Sequence, residues 1–187
     1  MTPLANNHIS VDCVVIGFDG VNLRVLLVKR SGKDHAGEFN DMKLPGSLIY
    51  QDEDLDQAAA RVLTELTGVK DVRLTQFKAF GSKDRTRNPR DVIWLERAQQ
   101  AHVESIVTIA YFAIVKLDAA LQRTMDREAA AWVPVNAVGP LAFDHNLIIA
   151  EALKAVRREA DNNRALLFDL LPKKEVAKLE LEMEKLD

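Results

Sequence analysis

Two glutamates and an arginine raise the first chemical question. Glu53, Arg61 and Glu65 lie within one stretch, with Glu65 four residues after Arg61. If that stretch is helical, Arg61 and Glu65 share a face. Carboxylates gathered on one face suit a hard divalent cation, which takes oxygen ligands in near-octahedral geometry. Glu53 and Arg61 have two readings: an ion pair that ties a loop to a helix, or contacts to a ligand. A second group is cationic. Lys83, Arg85, Arg87 and Arg90 crowd one polar stretch, with Asp84 and Asp91 between and beside them. The planar arginine fork matches phosphate in a bidentate way, so the stretch is either a phosphate clamp or a solvated loop. Arg30 is a further phosphate-contact candidate. Tyr50, Trp94 and Tyr111 are the candidates for stacking on a base or sugar, with core packing the alternative for Trp94 and Tyr111. His8, His35, His102 and His145 lack metal-ligand spacing, and no serine, cysteine or histidine arrangement suggests nucleophilic catalysis. Neither a G-x-x-x-x-G-K-[ST] nor a G-x-G-x-x-G loop is present, so nothing supports a P-loop or Rossmann site.

The elements that position these residues follow from periodicity. Residues 11–18 (VDCVVIGF) and 23–28 (LRVLLV) read as buried strands joined by the turn signal Asp19-Gly20, hence a hairpin. Residues 29–43 are polar and read as a long loop, a length that often carries function. Leu55, Ala58, Ala59, Val62, Leu63 and Leu66 have the spacing of an amphipathic helix. Asp52-Glu53-Asp54 suits its N-terminus, and Gly68 stands where it should stop. Residues 69–80 read as a strand, 81–90 as a loop with an Asn88-Pro89 turn, and 106–116 as a central strand. Residues 130–134 read as a short strand end. A helix is expected over 146–162, capped by Asp144, with another short helix at 164–171 and a charged tail after Pro172. The order is α+β with a mixed sheet.

The segment 44–69 resembles the Nudix box, G-x5-E-x7-R-E-U-x-E-E-x-G-U with U aliphatic. Ser47, Glu53, Arg61, Leu63, Glu65, Gly68 and Val69 fall at its places, with Leu44-Pro45-Gly46 upstream. The resemblance implies a Nudix fold: a mixed β-sheet sandwiched between helices, here with a C-terminal helical tail. It also implies hydrolysis of a diphosphate linked to another moiety, with Mg2+ or Mn2+ held by three glutamates. In this chain those three places are Val62, Glu65 and Leu66. An alkyl group cannot ligate a hard cation, so the box is degenerate. The expectation is therefore binding without efficient hydrolysis, and no firmly expected cofactor. Glu65 is the catalytic residue, and Glu65 with Glu53 the metal ligands, only if the chain is active. Relocated carboxylates from Glu38, Asp41 or Glu104 are the hydrolase alternative. The expected ligand contacts are Arg30, Glu53, Arg61, Arg85 and Arg87.

Lys29-Arg30, the LPGS opening, Asp144-His145 and the 168–172 segment (FDLLP) together look like the sensor domain of bacterial Nudix-related transcriptional regulators. That likeness implies a phosphorylated metabolite as ligand, ADP-ribose or a sugar or nucleotide derivative. It implies two parts: a Nudix-like domain over 1–140 and a helical extension over 141–187, the remnant of a linker to a missing C-terminal winged helix. Residues 173–187 are too few for that module and carry no excess of positive charge, with five acidic residues against four lysines, so DNA binding is not expected from this chain alone. Val176, Leu179, Met183 and Leu186 form a short heptad-like seam, and the relatives' habit of dimerising favours a homodimer.

Composition narrows the classes. Hydrophobic residues make up 48% and charged residues 28%, enough for a core and a hydrated surface in one domain of 187 residues. A net charge of -3 gives no global pull toward nucleic acid or acidic lipid. Cys13, the single cysteine, excludes an intrachain disulfide and a cysteine-built zinc site. No signal peptide or membrane span is expected, so the reading is a cytoplasmic protein.

Overall fold

The computed structural model describes residues 5–34, 37–99, 105–119, 121, 129–162, 177–178 and 181. Among the described residues, seven strands form one mixed sheet: β1 (Ala5–Phe18), β2 (Leu23–Asp34), β3 (Gly37–Lys43), β4 (Gly46–Tyr50), β5 (Thr75–Phe80), β6 (Val107–Lys116) and β7 (Ala130–Pro134). The order is β3-β2-β1-β6-β5, with β4 paired to β1 and β7 to β2. At the centre β1 and β6 run parallel, in register from Ile9↔Val107 to Phe18↔Lys116. Side chains alternate across a strand, so each face of β1 builds its own core. Val14, Ile16 and Phe18 pack with Ile148, Ala152 and Val156 of helix α3 (His145–Asn162). Val11, Cys13 and Val15 pack with Ala58, Ala59, Val62 and Leu63 of helix α1 (Leu55–Thr67). The sandwich of helices on both faces of a mixed sheet is the architecture the box implied. Among the described residues no helix is long and apolar enough to cross a membrane.

Helix α1 starts and stops where its sequence directs. The Asp54 side chain accepts from the Gln57 backbone N–H while the Gln57 side chain accepts from that of Asp54, a capping box. Gly68 ends the helix at φ 71°, where its N–H reaches the Thr64 carbonyl. Asp54→Ala should cost about 1 kcal/mol, read as a lowered urea midpoint at unchanged slope.

Three expectations are corrected. Residues 29–43 are not a loop: β2 runs on to Asp34 and pairs with β3 from Val28↔Lys43 to Asp34↔Gly37. The inward place at the start of this extension is taken by Arg30, not an apolar residue, so hydrophobic alternation is missing. Asn88-Pro89 is not a loop turn but the start of helix α2 (Pro89–Gln99). Proline suits a first helical position because its missing N–H has no partner to lose, and the Asn88 side chain accepts from the Arg90 N–H. The strand expected over 69–80 is confined to Thr75–Phe80. The heptad-like seam, the 168–172 segment, His35, His102 and Glu104 lie outside the described residues.

Candidate functional site

The box residues form a brace between α1 and the end of β4. Glu53 takes both ends of the Arg61 fork, at 2.7 Å and 2.5 Å, and also accepts from the Tyr50 N–H. Arg61 reaches the Leu48 carbonyl and Glu65 as well, and its guanidinium lies 3.9 Å from the Tyr50 ring centre. Hydrogen bonds from Arg61, against some burial, hold the Glu53 carboxyl below its usual range. Glu53 and Arg61 thus bind the end of β4, the loop and α1 to one another, and each atom of the Glu53 carboxylate already has a partner. Val62 is 0% exposed in the α1-side core and Leu66 packs against the same cluster. The Glu65 side chain is 55% exposed and its only described ion pair is with Arg61. Among the described residues no group of three or more His, Cys, Asp or Glu side chains is placed to hold a metal ion. The donors at the three glutamate places therefore do not fit a tightly held Mg2+ or Mn2+.

Arg30 is not an open phosphate contact. It is 2% exposed, bidentate to Asp41 at 2.7 and 2.6 Å, and bonded to Asp91 at 2.6 Å. Phe39, Trp94 and Phe143 surround its guanidinium. Asp91, on α2, also accepts from the Phe143 N–H in the turn before α3. One carboxylate so fastens the β2–β3 hairpin, α2 and that turn together. Asp41 is spent on this network and not free to replace a metal ligand, whereas Glu38 is exposed on β3.

The cationic stretch splits. Arg87 is exposed, and Arg90 pairs with Asp34 at 2.7 Å. Arg85 is buried: a 3-10 turn, Lys83–Thr86, capped by Ser82, turns it inward. Its fork donates to the Phe80 carbonyl and lies 3.5 Å from Asp12 and 3.2 Å from Asp144. The solvated-loop reading fails for this residue. Around it lies a pocket that the sequence reading missed. The α3-facing row of β1 is apolar at Phe18, Ile16 and Val14, then turns polar at Asp12 and Ser10. Those two, with Lys43, Arg85 and His145, line a cavity of about 50 Å³ whose other walls include Trp94, Leu95 and Phe143. The available signal was Asp12 itself, a charge inside an otherwise apolar strand, which must find partners when buried.

Electrostatics assign the protonation states. Burial alone would raise the Asp12 carboxyl; His145, Arg85 and Lys43 outweigh it, so Asp12 is a carboxylate. His145 Nδ1 accepts from the Leu44 N–H at 2.9 Å, leaving Nε2 to carry its hydrogen toward Asp12, 3.5 Å away. Burial lowers the His145 pKa to about 4, against the pull of Asp12. It was expected as a helix-start residue, and it is one, but a buried one. Asp144, expected as the cap, instead turns its side chain to Arg85, and burial raises its carboxyl. The pH consequence has a definite sign. The folded His145 value lies below the unfolded one, so the unfolded chain binds more protons between pH ~6.5 and 4. Stability should fall on acidification through that window, by on the order of 3 kcal/mol for this group. Urea titrations at stepped pH should show the loss, flattened in His145→Gln.

Tyr111 is core, not a stacking surface: its ring is buried and its hydroxyl donates to Asp56 at 2.7 Å. Trp94 is half-buried between the pocket and the β2–β3 hairpin. Cys13 is fully buried, and burial raises its thiol pKa.

Known proteins resemble this chain in sequence and fold. The ADPR responsive transcriptional repressor NtrR of Acinetobacter baylyi is 28% identical over 167 residues, 87% of this chain. The chain spans 59% of that repressor's length. The ADP-ribose pyrophosphatase of Methanocaldococcus jannaschii is 28% identical over 74% of this chain and 73% of its own. The NUDIX domain of Shewanella oneidensis NrtR, solved in complex with ADP ribose, aligns at a TM-score of 0.59 and 28% identity, covering 81% of this chain and 89% of that one. A NUDIX domain match runs over residues 6–160, and the chain belongs to that family.

Proposed function

We propose that this chain binds ADP-ribose or a closely related phosphorylated metabolite and does not cleave it efficiently. The observation that carries this reading is the position of Val62, sealed in the core of α1 where the family pattern places a carboxylate. Leu66 packs against the same core, which leaves Glu65 without companions. A lone, exposed carboxylate shared with an arginine holds a hard cation weakly, because the ion keeps most of its water. The repressor and the solved NUDIX domain are tied by name to ADP-ribose, and that supports the ligand class. The pocket beside Asp12 has room for one end of such a ligand, since each water-sized group needs ~10–15 Å³. Arg85, and Lys43 in its protonated form, are the cations that line it. Arg87, two residues after Arg85, is exposed. A cytoplasmic homodimer completes the reading; light scattering tests the dimer.

Calorimetry with ADP-ribose, with and without Mg2+, should show binding that does not depend on the cation. AMP release should stay at the blank rate and be the same in Glu65→Gln. Turnover above about 1 per second that vanishes in Glu65→Gln would reverse this conclusion. The pyrophosphatase relative favours that second reading, a hydrolase with relocated ligands. It would need carboxylates from outside α1, of which Glu38 is exposed and unpaired with Arg30.

A further inference from the structure

We propose that Lys43 is a nucleophilic amine that captures a small aldehyde in the pocket as a Schiff base. The ligand class is the open-chain end of a reducing sugar, and in this part the inference rests on the proposed function, because ADP-ribose ends in a free ribose.

The geometry at Nζ is that of an amine held ready. Lys43 is 5% exposed and lines the pocket. Nζ donates to the Gly46 carbonyl at 2.8 Å and the Leu44 carbonyl at 3.1 Å. A neutral amine has two hydrogens and one lone pair. Two carbonyls use both hydrogens and leave the lone pair for an electrophile. An ammonium would turn its third hydrogen toward the face of Trp94, 5.5 Å away, but among the described residues Nζ makes no ion pair with a carboxylate that would hold it in that form. Burial accordingly lowers the Lys43 pKa to about 8, with Asp12 pulling the other way. Against an ordinary lysine near 10.4, the free-base fraction at neutral pH rises on the order of a hundredfold. Amine nucleophiles are activated by such desolvation.

At about 50 Å³ the cavity has room for a few heavy atoms, enough for the aldehyde end of a sugar. In the reaction the nitrogen lone pair attacks the carbonyl carbon and the carbon–oxygen π pair moves to oxygen. One amine proton transfers to that oxygen, giving a carbinolamine. The hydroxyl then leaves as water with the second amine proton, and a C=N bond forms. Amine and aldehyde become imine and water, with no oxidant or reductant. The Asp12 carboxylate on the same wall stabilises the protonated imine.

The full chain is incubated at pH 7.5 with glycolaldehyde or ADP-ribose and cyanoborohydride, then mapped by peptide mass spectrometry. Lys43 should be modified at least tenfold faster than the exposed Lys83 and Lys154. Lys43→Arg, checked for folding by circular dichroism, should lose the fast adduct. ADP-ribose binding in calorimetry, with Lys43 modified no faster than Lys83 by either aldehyde, overturns this inference and leaves the proposed function standing. Fast glycolaldehyde modification of Lys43 without ADP-ribose binding supports the amine chemistry and overturns the proposed function.

Discussion

Arg30→Ala should lower the unfolding free energy by about 3–5 kcal/mol, the usual cost of stripping one partner from a buried ionic network. The side chain is 1% exposed and Asp91 only 3%, so removing the guanidinium leaves a carboxylate without solvent or counter-charge. Asp41, at 23%, is partly rescued by water. The lost packing under Phe39, Trp94 and Phe143 adds to the penalty. Urea unfolding followed by tryptophan fluorescence measures it. A triple variant, Arg30→Met with Asp41→Asn and Asp91→Asn, removes the stranded charges and keeps an acceptor for the Phe143 N–H. It should recover more than half of the loss. If the triple variant is as unstable as Arg30→Ala, the cost lies in shape rather than charge.

Gly46→Ala should be nearly as damaging, at about 3 kcal/mol, the upper end of what overpacking costs. A methyl there would stand 1.8 Å from Asp12 Oδ1 and 2.9 Å from the Val11 carbonyl. Asp12 cannot swing away cheaply, because His145 and Arg85 hold it and the surrounding strands bury it. Displacing it would also disturb the pocket, so the pH window assigned to His145 should move. The signature is non-additivity: in an Asp12→Ala background the methyl finds room, and the Gly46→Ala penalty should shrink by more than 1 kcal/mol. Equal penalties in both backgrounds would place the clash on the Val11 backbone instead.

The legible parts of this molecule were those governed by periodicity. The helix 55–67 could be read from Ala58, Ala59, Val62 and Leu63, and its limits from Asp54 and Gly68, because local hydrogen bonding decides a helix end. The central strands were readable for the same reason. What escaped was set by partners far along the chain. Arg30 looked like a surface cation because its two counter-charges sit 11 and 61 residues away. Arg85 looked solvated because only the tertiary fold brings Asp12 and Asp144 to it. His145 looked like no more than a helix-start residue because its acceptor role depends on Leu44, 101 residues earlier. Polar residues carry no periodic signature for burial, so a site built from them stays invisible until the chain is folded. The box helix shows the opposite case, where Val62 and Leu66 declared themselves core by type and place.

The parallel pairing at the centre of the sheet has a consequence for how the chain reaches this state. Ile9 to Phe18 must find Val107 to Lys116, each partner ninety-eight positions further along the chain. Closing so long a loop is entropically slow, and ladders of this kind favour folding times of milliseconds to seconds over microseconds. Emerging from a ribosome, β1 can pair early with β2 and β4, but its other edge waits for the second half of the chain. Until then an apolar strand with free amides is open to aggregation.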